Sequence, residues 1–168
     1  MIKYMNRLSE PTELPVTAKE MKLFLRIKHD DEDLLLTGMI RAARDIIEEY
    51  VGMSSCPQKW EVGLVLCKEN RLPRPPITDV ISFTVDGKEV DVSKYLVSTR
   101  TLVINDAGLL NKFGIIKYDA GAKTFSEWIR TATLLIVTNM YENRQGEQMK
   151  NIVAIAANIL NPHREMWL

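Results

Sequence analysis

The sequence lacks the residues from which most catalytic and metal-binding sites are built. Its 168 residues include two cysteines and two histidines, which are too few for a disulfide framework or a zinc site. No glycine-rich phosphate loop, nucleophile elbow, metal triad or Cys/His dyad occurs. We therefore expect no catalytic residue, no metal and no cofactor, and we interpret Cys56 and Cys67 as reduced, structural thiols.

The sequence also lacks an excess of either charge and any long hydrophobic run. Lys plus Arg and Asp plus Glu both total 22, so nothing indicates sequence-specific nucleic-acid binding. Residues 1–14 carry charges and lack the apolar segment of a secretory signal, and no run approaches the roughly 20 apolar residues of a membrane span. These absences predict a soluble, cytoplasmically made protein with no membrane partner.

The strongest helical pattern runs from Ser126 to Arg144, with Ser126 as the predicted N-cap and Gly146 as the predicted C-cap. The pattern is apolar enough to predict a buried helix. A second apolar repeat, from Met149 to Leu160, predicts the next helix, which Pro162 should end. The apolar stripe of the first of these helices has a 3.6-residue period and contains Ile129, Ala132, Thr133, Ile136 and Met140.

Two further helices are predicted before residue 53. The segment Thr17–Glu20 matches a capping box at the start of a short first helix. The acidic stretch from His29 to Asp33 precedes a strong helical repeat that ends at Gly52, so we interpret the acids as first-turn residues and Asp30 as the N-cap. The alternative, a metal or acid/base cluster, lacks the ligand spacing of an EF-hand.

Alternating and turn patterns replace the helical repeat between residues 58 and 121. Asp86–Gly87 lies between two strand-like runs and predicts a tight hairpin. Leu72–Pro76 contains three prolines and predicts a stiff connector, with a PxxP ligand as the alternative. Residues 1–16 show no sustained period and are interpreted as an extended arm or a loose terminus.

Together these patterns predict an α+β fold, a helical bundle of about four helices with an inserted small antiparallel β subdomain between helices two and three. The predicted organisation is an N-terminal arm at residues 1–16, a single domain at residues 17–160 and a C-terminal tail at residues 161–168. Within that domain, helices occupy residues 17–52 and 126–160, and the β subdomain occupies residues 58–121.

Six short motifs follow one another along the chain: Leu14-Pro15-Val16-Thr17, Leu25-Arg26-Ile27 to Asp33, Glu49-Tyr50-Val51-Gly52, Leu72-Pro73-Arg74-Pro75-Pro76, Tyr118-Asp119-Ala120-Gly121 and Tyr141-Glu142-Asn143-Arg144. In their order they resemble the head-tail connector (adaptor) proteins of long-tailed bacteriophages and prophages. The resemblance covers Leu14 to Leu160, and the N-terminal arm is longer than the usual pattern.

The resemblance implies a structural head-completion protein and not an enzyme. Such adaptors form a ring, commonly dodecameric, below the portal protein, and they bind a stopper or tail-completion protein on the other side. Double-stranded DNA passes through the ring without sequence-specific binding. The implied location is the head-tail interface of the virion, after synthesis in the host bacterial cytoplasm.

The resemblance also implies that the C-terminal tail reaches the portal, with folding back onto its own domain as the alternative. The portal-contact candidates are Pro162, His163, Arg164, Met166, Trp167 and Leu168. Charged residues of the second helix are candidates for the interface between subunits, with a solvated helix face as the alternative. These subunit-interface candidates are Arg41, Arg44, Asp45, Glu48 and Glu49.

The polar end of the long helix, Tyr141, Glu142, Asn143 and Arg144, is predicted to form a structural corner that directs the last helix and the tail. Two other functions compete with the adaptor hypothesis. One is a peptide- or protein-binding module that uses the β subdomain or the proline segment. The other is a hydrolase that uses the acidic cluster around His29.

Overall fold

The computed structural model describes residues 1–143 and 152–164. The chain divides into two compact units. The β unit contains Met1–Thr12 and Cys56–Lys123, and the helical unit contains Glu13–Ser55 and Thr124–Leu168. The described residues contain four α-helices and two antiparallel sheets, which confirms the predicted α+β class with a β region between the second and third helices.

The helical unit contains α1 (Ala18–Leu25), α2 (Asp33–Val51), α3 (Glu127–Glu142) and α4 (Ile152–Leu160). A turn of 3-10 helix, Asn161–His163, follows α4 directly, so the helix ends where Pro162 predicted. Among the described residues, none of the helices combines the length and the apolarity that crossing a bilayer requires.

Local capping explains where α1 and α2 begin and end. Thr17 Oγ1 accepts the Glu20 N–H at 3.2 Å, and the Thr17 N–H donates to Glu20 Oε2 at 2.7 Å, which confirms the capping box. Gly52 ends α2 with a left-handed φ of 76°. The predicted N-cap of α2 is wrong: Glu32 occupies that position, because Asp30 turns to the Lys22 ammonium of α1.

Helix α3 begins after Ser126 and buries four of the five residues of the predicted stripe, while Met140 is half-buried. Ser126 occupies the N-cap position, although its hydroxyl makes no capping hydrogen bond. The predicted C-cap, Gly146, lies outside the described residues. Ala132 and Ile136 pack against α2 and α4 in one apolar cluster, and burial of each large aliphatic side chain contributes about 2 kcal/mol. The cluster members from α2 and α4 include Leu36, Ile40, Ala43, Ile47, Ala156 and Leu160.

An ion pair between α3 and α1 adds a polar constraint to this apolar cluster. Arg130 Nη2 donates to Glu20 Oε1 at 2.6 Å, and Arg130 Nη1 donates to the Pro15 carbonyl at 2.7 Å. The Thr17 N–H, the Arg130 guanidinium and the Thr17 hydroxyl lower the pKa of Glu20 to about 2. One guanidinium therefore fixes the segment before α1 and the first turn of α1 against α3.

The β unit contains a five-stranded and a three-stranded antiparallel sheet. In the larger sheet the order is β1 (Ile2–Arg7), β2 (Gln58–Val65), β8 (Phe113–Ala120), β4 (Ile77–Val85) and β5 (Lys88–Glu89). In the smaller sheet the order is β3 (Glu69–Arg71), β7 (Thr101–Ile104) and β6 (Tyr95–Val97). The β4–β5 turn has φ values of 50° at Asp86 and 77° at Gly87, which confirms the predicted hairpin.

The N-terminal residues form a strand that the sequence pattern did not predict. Strand β1 pairs antiparallel with β2, from Ile2 opposite Leu64 to Arg7 opposite Trp60. A Cβ atom at Gly63 would overlap the Tyr4 ring, so the glycine leaves space for this ring to lie over β2. Residues 1–12 therefore belong to the β unit, whereas the sequence suggested a separate arm through residue 16.

Gly121 is expected to be the glycine most sensitive to substitution. Its φ is 109°, and a Cβ atom there would collide with the Cys56 carbonyl. We predict that Gly121→Ala lowers the free energy of unfolding by more than about 3 kcal/mol, because backbone strain and a clash act together. The matched control is Gly87→Ala, where φ is also positive but the space is open. It should cost about 1 kcal/mol. Equal costs in urea unfolding would contradict this interpretation.

The Glu20 carboxylate should make stability depend on pH. Its folded pKa lies below the ordinary value of 4.5, so the stabilisation is complete above about pH 4.5 and is lost as pH falls toward 2. We predict that Glu20→Gln costs about 1 kcal/mol at pH 7 and that this difference shrinks between pH 4.5 and 3. Urea midpoints at each pH measure this difference in stability between wild type and Glu20→Gln. Glu142→Gln, at an exposed residue, is the control. A difference independent of pH would contradict it.

Candidate functional site

Two of the five charged residues predicted on the surface of α2 are buried. Arg44 and Glu48 are each 2% exposed. Arg44 Nη1 donates to the Glu13 carbonyl at 3.1 Å, and the Ser55 N–H donates to Glu48 Oε1 at 2.7 Å. The expectation that both lie on an interface surface is therefore corrected: they hold the segments before α1 and after α2 against the helix.

The positions of Arg44 and Glu48 along α2 indicate that both residues should be buried. Leu36, Ile40, Arg44 and Glu48 recur at intervals of four residues, so all four lie on one helix face. Assigning residues to faces by polarity alone misses such positions, because a charged side chain can be buried when its polar atoms are bonded.

The other three candidates, Arg41, Asp45 and Glu49, are exposed. They also recur at intervals of four residues and form a stripe on α2 that has one positive charge followed by two negative charges. Asp45 Oδ1 accepts from Arg44 Nη2 at 3.0 Å, so this carboxylate also supports the buried guanidinium. We call Arg41, Asp45 and Glu49 the α2 stripe.

The first residues of the predicted tail pack on their own unit. The rings of His163 and Trp128 stack with centroids 4.2 Å apart and planes 8° apart. The Tyr50 hydroxyl donates to Asn161 Oδ1 at 2.5 Å, and the Arg164 guanidinium lies 5.1 Å from the Tyr50 ring centroid. The alternative of folding back thus holds for residues 161–164. Met166, Trp167 and Leu168 lie outside the described residues.

The predicted corner joins the end of α3 to the start of α2. The Tyr141 hydroxyl donates to Glu32 Oε2 at 2.5 Å, so Tyr141 holds the N-cap residue of α2. Asn143 is the C-cap of α3, and its backbone N–H donates to the Asn139 carbonyl at 3.0 Å. Glu142 is exposed, and Arg144 lies outside the described residues.

The acidic cluster around His29 makes structural contacts. Lys22 Nζ contacts Asp30 and donates to Asp33 Oδ1 at 2.9 Å, which joins the end of α1 to the start of α2. His29 and Asp31 are exposed, with Nδ1 and Oδ2 3.7 Å apart. Among the described residues, no group of three His, Cys, Asp or Glu side chains has the geometry to hold a metal ion.

The proline segment is part of the β unit's interior. The Tyr118 hydroxyl donates to the Pro73 carbonyl at 2.6 Å, and the Leu72 N–H donates to the Arg100 carbonyl at 2.9 Å. Leu72, Pro73 and Pro75 are buried. Burial raises the pKa of the Tyr118 phenol, which keeps its proton for this bond. These contacts favour the stiff connector over the PxxP ligand.

A cleft of about 370 Å³ lies beside the β4–β5 hairpin. Its lining combines lysines with carboxylates of the hairpin and a few apolar side chains, so it has no dominant charge. The charged lining residues are Lys88, Lys94, Lys112, Asp86, Glu89 and Asp91.

Three features of the structure were not predicted from the sequence. They are strand β1, the bonds from Arg130 to Glu20 and Pro15, and the packing of residues 161–164 on Tyr50 and Trp128. Each depends on residues far apart in the chain; Arg130 and Glu20 are separated by 110 positions and Tyr50 and Asn161 by 111. No local period or spacing marks such pairs.

Comparison with known proteins places this fold in a family. A model of the family described as phage gp6-like head-tail connector protein matches residues 16–161. No curated protein sequence matches the chain at a significant level.

Similar folds occur among solved structures of gene transfer agent (GTA) particles. A chain from the neck of an empty GTA particle computed with C6 symmetry is 18% identical, with a TM-score of 0.79. A chain from the virion of a native GTA particle is 16% identical, with a TM-score of 0.79. A chain from the neck of a native GTA particle computed with C12 symmetry is 15% identical, with a TM-score of 0.69. Each alignment covers 99% of this chain and 97% of the other.

The stacking of His163 on Trp128 should limit the access of proteases to residues 161–164. We predict that Trp128→Leu increases the rate of tryptic cleavage after Arg164 several-fold, because local opening of residues 161–164 becomes easier. Phe24→Leu, a substitution of an exposed ring in the same unit, is the control and should leave the rate unchanged. Mass spectrometry over a digestion time course measures both rates. Equal rates for wild type and Trp128→Leu would contradict the proposed support.

Proposed function

Because the chain belongs to the phage gp6-like head-tail connector family, we propose that it is a head-completion adaptor. It forms a ring below the portal, joins the DNA-filled head to the stopper or tail-completion protein, and lets the genome pass. It acts at the head-tail interface of the virion and is made in the host bacterial cytoplasm. The family match over residues 16–161 is the observation that carries this proposal.

The symmetry of the similar assemblies supports a ring. Two of the similar chains come from GTA necks computed with C6 and C12 symmetry, and a dodecameric ring is compatible with either. Cyclic rings need heterologous interfaces, in which each subunit presents two different surfaces. The α2 stripe, with Arg41 followed by Asp45 and Glu49, offers exposed charge of both signs for one such surface.

The C-terminal segment is the proposed portal anchor. Tyr50 and Trp128 hold residues 161–164 on the helical unit, so the tail leaves this unit from a defined point. In this proposal, the part of the anchor held on the helical unit consists of Pro162, His163 and Arg164. The apolar contacts with the portal come from Met166, Trp167 and Leu168. Apolar and aromatic side chains are the usual anchors of protein interfaces.

The charge balance suits a passage for DNA. Each phosphate that Lys or Arg neutralises adds salt-dependent affinity, which would slow a moving genome. The chain has a formal net charge of zero at pH 7, so it provides no general electrostatic attraction for DNA. We propose weak contact with the passing duplex without sequence-specific binding, and a structural role without catalysis.

The tail anchor can be tested without disturbing the described fold. We predict that a chain ending at Arg164 keeps the wild-type urea midpoint but loses most binding to portal assemblies, because the aromatic base remains and the apolar end is removed. Co-sedimentation with the portal encoded by the same phage, followed by electron microscopy, measures binding and ring formation. The control is Leu23→Ser, which removes an exposed apolar side chain elsewhere on the helical unit.

Two outcomes of that experiment separate the parts of the proposal. Full binding by the shortened chain would overturn the anchor while leaving the adaptor in place. Absence of any ring on the portal with the wild-type chain would contradict the adaptor itself.

A further inference from the structure

The zero net charge of the chain results from opposite charges on its two units. The β unit contains twelve Lys and Arg residues and nine Asp and Glu residues, whereas the helical unit contains ten and thirteen. Their formal charges at pH 7 are therefore +3 and −3. Complementary charge steers two protein surfaces together. The basic unit of one copy is thus suited to meet the acidic unit of another.

Helix α2 of the acidic unit has one exposed face along most of its length. Leu34, at the start of the helix, is 90% exposed, and the space around Gly38 is open. Ala42 is also exposed. The α2 stripe continues the same face, because all these positions follow one another at intervals of three or four residues. This face is therefore apolar or small near the start of α2 and net negative near its end.

The smaller sheet of the basic unit also has one uncovered face. Leu102 and Ile104 of β7 are buried on its inner side, and side chains alternate between the two sides of a strand. Leu96 of β6 is 63% exposed on the other side. We define the outer sheet face as the five residues on this other side of the three strands: Leu96, Val103, Glu69, Thr101 and Arg71.

The charges on the sheet are the reverse of those on the α2 stripe. Glu69 is the acid of the outer sheet face, and Arg71 is the next residue on the same side of β3. Arg100 lies beside this end of β3, since its carbonyl accepts the Leu72 N–H at 2.9 Å. The sheet thus presents one anion followed by two cations, where α2 presents one cation followed by two anions.

The spacing of these charges also agrees. Arg41 and Asp45 are four residues apart, which is about 6 Å along a helix. Glu69 and Arg71 are two residues apart, which is about 6.6 Å along a strand. A helix lying along β3 therefore brings Arg41 to Glu69 and Asp45 to Arg71 at the same time. Leu96, in the same row of the sheet as Glu69, supplies an apolar contact.

A DNA backbone fits the outer sheet face less well than a second copy does. The Glu69 carboxylate would repel a phosphate, and the exposed apolar side chains of Val92 and Leu96 lie on or beside the face. A helix face with apolar positions and charges of both signs matches all of these features.

We propose that α2 of one copy packs on the outer sheet face of the next copy, with Arg41 beside Glu69 and Asp45 beside Arg71. A helix on a sheet is a common way to cover an apolar sheet face. The contact is heterologous, so each copy meets its two neighbours through different surfaces, as a ring requires. The proposal rests on the ring proposed above and identifies both surfaces of one contact within it.

Charge reversal at Arg41 and Glu69 tests this contact. Within the described parts of the chain, neither side chain makes a hydrogen bond or an ion pair, so urea midpoints should stay at the wild-type value. Arg41→Glu and Glu69→Arg should each reduce ring assembly on portals several-fold, because each brings like charges together. The double variant should recover most of the assembly. Lys28→Glu, which reverses another exposed charge on the helical unit, is the control.

Co-sedimentation with the portal gives outcomes that separate the contact from the adaptor. A double variant that assembles no better than either single variant would overturn the contact, as would normal assembly by both single variants. In the latter case, tighter and salt-dependent DNA binding by Glu69→Arg would assign the face to DNA. Absence of rings with the wild-type chain would contradict the adaptor as well.

Cross-linking between two populations of the chain identifies the neighbour directly. One population carries Ala42→Cys and the other Leu96→Cys, both with Cys67→Ser, which removes the exposed native thiol. Mixed rings on portals should give a heterodimer with a short bis-maleimide, and this product can join only different copies. Thr131→Cys, at an exposed residue of α3, replaces Ala42→Cys in the control and should give none. Mixed rings without the heterodimer would overturn the contact and leave the adaptor standing.

Discussion

Burial of one face of α3 is the constraint on which the helical unit depends. Ala132 and Ile136 lie in the apolar cluster that joins α2, α3 and α4, and the Arg130 guanidinium ties the same helix to the start of α1. Apolar burial supplies most of the driving force, and it is non-directional. The polar contacts of Arg130 and Tyr141 are directional, so they define which helix ends meet α3.

Packing and directional contacts within the helical unit also support the proposed function. An adaptor needs a rigid body that presents a peptide segment to a partner, and in this unit α2 and α3 supply Tyr50 and Trp128 to residues 161–164. The buried charges Arg44 and Glu48 hold the segments flanking α1 and α2. The buried face of α2 supports the fold, and the exposed α2 stripe is the surface proposed above for contact between subunits.

Local features were predictable from the sequence, and long-range ones were not. The capping box at Thr17, the left-handed Gly52 and the Asp86–Gly87 hairpin each follow from residues within one turn of one another. The buried stripe of α3 followed from its period. Strand β1 and the Arg130–Glu20 pair depend on partners distant in the chain. Arg44 was wrongly predicted to be exposed because it is charged, although its spacing from Leu36 and Ile40 places it on the buried face of α2. Asp30 was wrongly predicted to be the N-cap of α2 because its carboxylate instead contacts Lys22.

The most direct test of the adaptor is a cryo-electron microscopy reconstruction of the chain assembled on its portal. We predict one cyclic ring below the portal, with residues 161–164 packed on Tyr50 and Trp128 and the tail running into the portal. A ring in which the C-terminal segment points away from the portal, or a chain that stays monomeric beside an unoccupied portal, would contradict it.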